Sequence, residues 1–127
     1  MKYPILTLLI VLFSHQSLWA DEFKFDGHEL LYNCQQAISK EASDFVRVGF
    51  CFGQIRGIND MNILFKEFIP DTYTGYCVPN GVTLGQQARV VLEYLDKHQK
   101  DLDKESTVLV LAAQLEAFPC EQKSPEP

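Results

Sequence analysis

The sequence predicts an all-α fold, a small four-to-five-helix domain stapled by two disulfides. Three observations lead there. Apolar residues recur at helical period in successive windows, several of which open on a capping signal. No stretch alternates with period two, and Asn80-Gly81 leads into a helix cap rather than joining two strand-like runs. Finally, the four cysteines Cys34, Cys51, Cys77 and Cys120 are spread along a short chain behind what reads as an export signal. An even count in an oxidising compartment favours two bridges.

The export signal is residues 1–20. Lys2, the apolar stretch from Ile5 to Phe13 and the closing Leu18-Trp19-Ala20 have the order of a secretory peptide cut before Asp21. Domain organisation is then a signal peptide over 1–20, one helical domain over 21–120 and a tail over 121–127. The tail carries two prolines, three charges and no large apolar residue, and is expected to be disordered. No second hydrophobic run has membrane-spanning length. The expected location is the periplasm, in solution, with no membrane partner.

Cleavage leaves 107 residues with ten Lys and Arg against seventeen Asp and Glu, a net charge of −7. Phosphates repel such a surface, so nucleic acid is excluded as a partner, while a basic protein surface would attract it. A domain this short has a thin core, for which covalent staples matter.

The first helix is expected from Asp26, an acidic N-cap that forms a capping box with Glu29, to about Ser39. Leu30, Leu31, Cys34, Ala37 and Ile38 share one face, which places the Cys34 sulfur in the interior. A second helix spans Ala42 to about Asn62, with Phe45, Val48, Cys51 or Phe52, Ile55 and Ile58 inward. Gly49, Gly53 and Gly57 each cost this helix about 1 kcal/mol relative to Ala. Keeping all three implies close helix packing on their bare face, within the domain in preference to a dimer contact.

A short helical turn over 62–68 and a long loop containing Pro70, Gly75, Cys77, Pro79 and Gly81 come next. Thr83-Leu84-Gly85-Gln86 is a second capping box, opening a third helix to about His98 with Leu84, Ala88, Val91, Leu92 and Leu95 inward. Its outer side carries Gln86, Arg89, Glu93 and Asp96, spaced for weak ion pairs. After the polar connector 99–103, the last helix is expected to bury Val108, Leu111, Ala112, Leu115 and Phe118 before Pro119 stops it.

Catalytic chemistry finds little support. A bridged sulfur cannot act as a nucleophile. The cysteines stand seventeen, twenty-six and forty-three residues apart, without the close pairs of zinc sites. The carboxylate pairs Asp21/Glu22 and Asp101/Asp103 lie in polar segments where nothing would raise a pKa. No phosphate loop, nucleophile elbow or two-histidine helix motif is present. The chain is expected to be a binding protein and no enzyme, with no cofactor and no metal.

The segments Cys51-Phe52-Gly53-Gln54-Ile55-Arg56-Gly57, Tyr76-Cys77-Val78-Pro79, Gly81-Val82-Thr83-Leu84-Gly85-Gln86, Val90-Val91-Leu92-Glu93-Tyr94-Leu95 and Phe118-Pro119-Cys120 together resemble the Rap/Tai family of immunity proteins. The resemblance covers most of the chain beyond residue 20. It implies a small exported helical protein of Gram-negative bacteria that binds and blocks a peptidoglycan amidase effector of type VI secretion. It also implies the pairing Cys51 with Cys77 and Cys34 with Cys120, although the sequence alone permits three connectivities.

The candidate effector-binding segments are the loop 68–76, with Asp71 and Tyr73, and the connector 97–104, with Lys100, Asp101 and Asp103. Where the family's last helix often follows a proline-containing loop, this connector is purely polar. The competing reading is a periplasmic acid-stress chaperone, or another non-catalytic envelope binding protein, that exposes apolar surface when a homodimer dissociates at low pH. An envelope enzyme is a third, weaker reading.

Overall fold

A computed structural model describes residues 24–121. The expected signal peptide, and the expected tail apart from Glu121, lie outside the described residues. Four helices make up the domain: α1 (Gly27–Ile38), α2 (Phe45–Phe68), α3 (Leu84–Lys97) and α4 (Ser106–Ala117). A short 3-10 turn, Gln99–Asp101, sits between α3 and α4. The described residues form no strand, only the isolated bridges Asp26 to Glu105 and Tyr76 to Pro119.

The helix starts follow from local chemistry. Asp26 accepts a hydrogen bond from the Glu29 amide at 3.0 Å, and Asp44 accepts one from the Arg47 amide at 3.2 Å. Each satisfies a donor that the first helical turn would otherwise leave unpaired. The expected box at α1 is only half formed, because the Glu29 carboxylate pairs with Arg47 at 2.7 Å, whereas at α3 it is complete: Thr83 Oγ1 accepts from the Gln86 amide, and Gln86 Oε1 accepts from the Thr83 amide. The outer side of α3 is solvated as expected, and Lys97 pairs with Glu93 at 2.8 Å.

Leu30 and Cys34 of α1, Cys51 and Ile55 of α2, Ala88, Val91 and Leu95 of α3 and Leu109, Val110 and Ala113 of α4 form one core, with Leu102 from the connector. α1 packs on α2 and α3, and α4 closes the bundle against α3 and α2. Gly27 is fixed by close approach. Its amide donates to the carbonyls of Leu102 at 2.8 Å and Lys104 at 3.1 Å, and an added Cβ would lie 2.8 Å from the Leu102 backbone.

Five expectations are corrected. The disulfides are Cys34 with Cys51 and Cys77 with Cys120, not Cys51 with Cys77 and Cys34 with Cys120. The reason is the crossing of α1 on α2. It brings the two core-facing sulfur positions together, with Cα atoms 5.0 Å apart, and leaves Cys77 to meet the end of α4.

Next, α2 runs without a break through Asn62 to Phe68, so the expected turn is its last two turns. Its first residue, Phe45, expected inside, is 79% exposed.

The glycine face is also not packed. An added Cβ at Gly49, Gly53 or Gly57 would meet nothing within 4 Å. These residues lie two positions from Cys51 and Ile55, about 200° around the helix, and so point away from the core. Gly53→Ala is therefore expected to leave thermal stability unchanged or raise it by up to about 1 kcal/mol, through helix propensity alone. A melting-temperature drop equivalent to more than about 1 kcal/mol would return this face to the interior.

Finally, α4 is rotated from its expected register. Ser106, Leu109, Val110, Ala113 and Gln114 are buried, whereas Val108 is 55% and Leu115 39% exposed. Ser106 is held inside by a 2.6 Å hydrogen bond from Gln54 Nε2. The Gln114 amide is fully buried with no hydrogen-bond partner among the described residues.

Candidate functional site

The end of α2 and the loop that leaves it form a pinned platform. Asn62 sits at a buried position of α2, seven residues beyond Ile55 on the same face. Its Nδ2 donates to the Tyr76 carbonyl at 3.0 Å, and its Oδ1 accepts from the Tyr76 amide at 3.1 Å and from the Tyr73 hydroxyl at 3.2 Å. One amide side chain thus replaces the strand or helix partner that a buried loop backbone would otherwise lack.

Tyr76 is itself fully buried, and its hydroxyl donates to Asn59 Oδ1 at 2.7 Å. Asn59 Nδ2 then donates to Gln87 Oε1 of α3 at 2.9 Å. Burial, reinforced by the nearby Tyr73 and Asp60, pushes the Tyr76 hydroxyl well above its ordinary range and keeps it a donor. Gly75 makes the turn possible. Its φ of +57° suits glycine, and a Cβ there would strike Asn62, Tyr73 and Lys66.

Below the turn, the Cys77 amide donates to the Phe118 carbonyl at 2.8 Å, and the Cys77–Cys120 bridge closes the same junction. Lys66 lies over it, donating to the Tyr76 carbonyl and reaching Cys77 Sγ at 3.1 Å and Cys120 Sγ at 3.2 Å.

On this fixed base the outer side is apolar and open. Phe68 is 76% and Ile63 63% exposed, and Ile69, Pro70 and Asp71 are exposed beside them. Tyr73 packs edge-on against Phe65, with ring centroids 5.3 Å apart, and burial raises its hydroxyl above the usual range. A cavity of about 630 Å³ opens between α2 at Arg56, Asn59 and Asp60 and the segment 78–82. Arg56 and Asp60 form an ion pair at 3.0 Å on its wall.

The two expected effector-binding segments are not brought together. The connector leads into Ser106 at the start of α4, whereas the loop meets Cys120 beyond the other end. Twelve helical residues, about 18 Å, separate them. One connector charge is paired within the chain. Asp101 pairs with Lys104 at 3.0 Å, which holds its carboxyl below the usual range, and exposed Asp103 faces His28 at 3.4 Å. Lys100 is exposed.

Phe68 opens the expected loop, whereas Asn62, Ile63 and Lys66 lie inside α2, where loop position gives no pointer to them. A polar residue at the core position that follows Ile55 by two turns was the available signal for Asn62.

All four sulfurs are bridged, so the described residues offer no thiol nucleophile. Among them, no group of three His, Cys, Asp or Glu side chains could hold a metal ion, and no helix is long and apolar enough to cross a membrane. Residues 26–120, from the cap of α1 to the last cysteine, match the model of the Rap1a immunity proteins.

The chain belongs to the Rap1a immunity protein family. The match covers all four helices and both bridges, so the whole described domain is the Rap1a unit. A Rap1a family member is an immunity protein directed against a secreted effector. No curated protein and no solved structure matches the chain.

Proposed function

We propose that the chain is a periplasmic immunity protein, exported by residues 1–20, that binds and inhibits a peptidoglycan amidase effector of type VI secretion without catalysis of its own. The family match carries this reading. Two bridged cysteine pairs, which persist in oxidising compartments, support the location. The net negative charge suits a basic target and would speed encounter.

The loop 68–76 is the proposed contact in preference to the connector. Phe68, Ile69 and Tyr73 put aromatic and apolar side chains, and Asp71 a carboxylate, on a base held by Asn62 and the Cys77–Cys120 bridge. Binding through such a surface loses little conformational entropy, and aromatic anchors commonly dominate interface energies. Of the connector residues, Asp101 and Asp103 would then act only in long-range attraction, and Lys100 would take no part in it.

Co-expression of the full-length precursor with an amidase effector in the periplasm, scored by lysis, tests the assignment. Phe68→Asp is expected to abolish protection and weaken binding by at least tenfold, on the order of the 2 kcal/mol typical of an interface anchor. Asp101→Lys with Asp103→Lys is expected to reduce the association rate and leave dissociation nearly unchanged. Protection lost with the connector pair and retained with Phe68→Asp would move the contact to the other end of the bundle.

The apolar outer side of α2 supports a second reading. Val46, Gly53, Gly57 and Leu64 share one solvent-facing stripe, with Val46 69% and Leu64 46% exposed, a face suited to a homodimer. An acid-stress chaperone would release such a surface at low pH. Failure to bind any amidase, together with suppression of aggregation in acid, would favour it.

A further inference from the structure

The two disulfides stand in different chemical environments. Cys34 and Cys51 are fully buried among Leu30, Ile55 and the rest of the apolar core. Opening that bridge would leave a thiolate in a low-dielectric interior, an expensive product. Cys77 is exposed and Cys120 half-buried. Both border an open cavity of about 630 Å³, lined also by Pro70, Thr74, Leu115 and Glu121. Lys66 places its ammonium within 3.2 Å of both sulfurs, so whichever sulfur departs as thiolate is met by a positive charge already in contact.

We propose that Cys77–Cys120 is a thiol–disulfide exchange site, a bridge that a dithiol reductant opens in the folded protein with Lys66 stabilising the leaving thiolate, while Cys34–Cys51 stays closed. A thiolate of the dithiol attacks the exposed Cys77 sulfur and forms a mixed disulfide. The Cys77–Cys120 bond breaks, and its electron pair leaves on Cys120 Sγ, held by the ammonium. The second thiol of the reductant, once deprotonated, attacks its own sulfur in the mixed disulfide and releases Cys77. Two electrons and two protons pass to the chain, and the reductant ends as a disulfide. A stabilised leaving thiolate is what speeds exchange and makes a bridge more reducible.

The fold tolerates the opened state. Asn62 still pins Tyr76, and the core and Cys34–Cys51 are untouched. What loosens is the junction of 75–77 with the end of α4, which then keeps the bond from the Cys77 amide to the Phe118 carbonyl and the bridge of Lys66 between the Tyr76 carbonyl and Cys120 Sγ. The site reads out on the loop of α2 without depending on which effector, if any, that loop binds.

The test is dithiothreitol titration of the folded, oxidised protein, with alkylation and peptide mapping to score each bridge, and circular dichroism to confirm that helix is retained. The expected result is opening of Cys77–Cys120 at least tenfold faster than Cys34–Cys51. Lys66→Met is expected to slow opening of Cys77–Cys120 on the order of tenfold. Lys66→Arg is expected to restore most of the rate, which separates charge from packing. Two bridges that open together and only on unfolding would overturn the proposal, as would an unchanged rate in Lys66→Met. If Lys66→Met does not fold, the comparison of the two bridges in the unaltered protein decides alone.

Discussion

Replacing Cys34 and Cys51 together by alanine is expected to lower the unfolding free energy by about 3 to 5 kcal/mol. The bridge closes a loop of seventeen residues in sequence separation, for which chain entropy contributes about 3 kcal/mol, and both sulfurs are fully buried, so their removal also leaves unfilled volume. Total stabilities of about 5 to 15 kcal/mol are usual for domains, so the variant would be close to unfolding near body temperature. Urea denaturation with Cys77–Cys120 kept oxidised measures the change. A loss below about 1 kcal/mol would show that helix packing, and not the covalent tie, holds α1 to α2.

Asn62→Ala is expected to cost about 2 to 4 kcal/mol and to act mainly on one loop. The Tyr76 amide would be left buried without its acceptor, while the carbonyl keeps Lys66. An orphaned buried donor costs about 1 to 3 kcal/mol, to which the lost Tyr73 contact and the vacated volume add. Hydrogen exchange should accelerate at Tyr76 and Cys77 before it does at Val91 or Ile55 of the core. Uniform acceleration across all four helices would instead make Asn62 part of the global core. Under the proposed function, the same variant loses protection through a loosened platform, with the contact side chains still in place.

Much of the architecture was legible because the signals were local. The caps at Asp26 and Thr83 span only four residues each, and the outer face of α3 is charged enough to define its inner one. Register failed in α4, where Val108 through Ala113 is apolar on every side and periodicity has nothing to choose between. There the decision fell to a polar contact, Ser106 with Gln54, fifty-two residues away in sequence. The glycines misled in another way. Their cost in helix propensity suggests packing, but their offset of two from Cys51 and Ile55 puts them on the far side.

The loop site was half legible. Asp71 and Tyr73 stand out by lying in a loop, but Asn62 and Lys66, which give that loop its shape, sit inside a helix that runs past the end its periodicity suggests. Cysteine pairing is a property of how helices cross and could not be settled by spacing.

That pairing joins the first cysteine to the second and the third to the fourth, so the two covalent loops follow one another along the chain and neither encloses the other. An oxidase that meets the cysteines in the order in which the chain is delivered, N-terminus first, would form each native bond as soon as its second partner arrives. The alternative, with Cys34 waiting for Cys120 while Cys51 took Cys77, would require either a long-lived free thiol or later rearrangement by an isomerase. Maturation of this domain is therefore within reach of a simple oxidase acting in sequence, with no shuffling step.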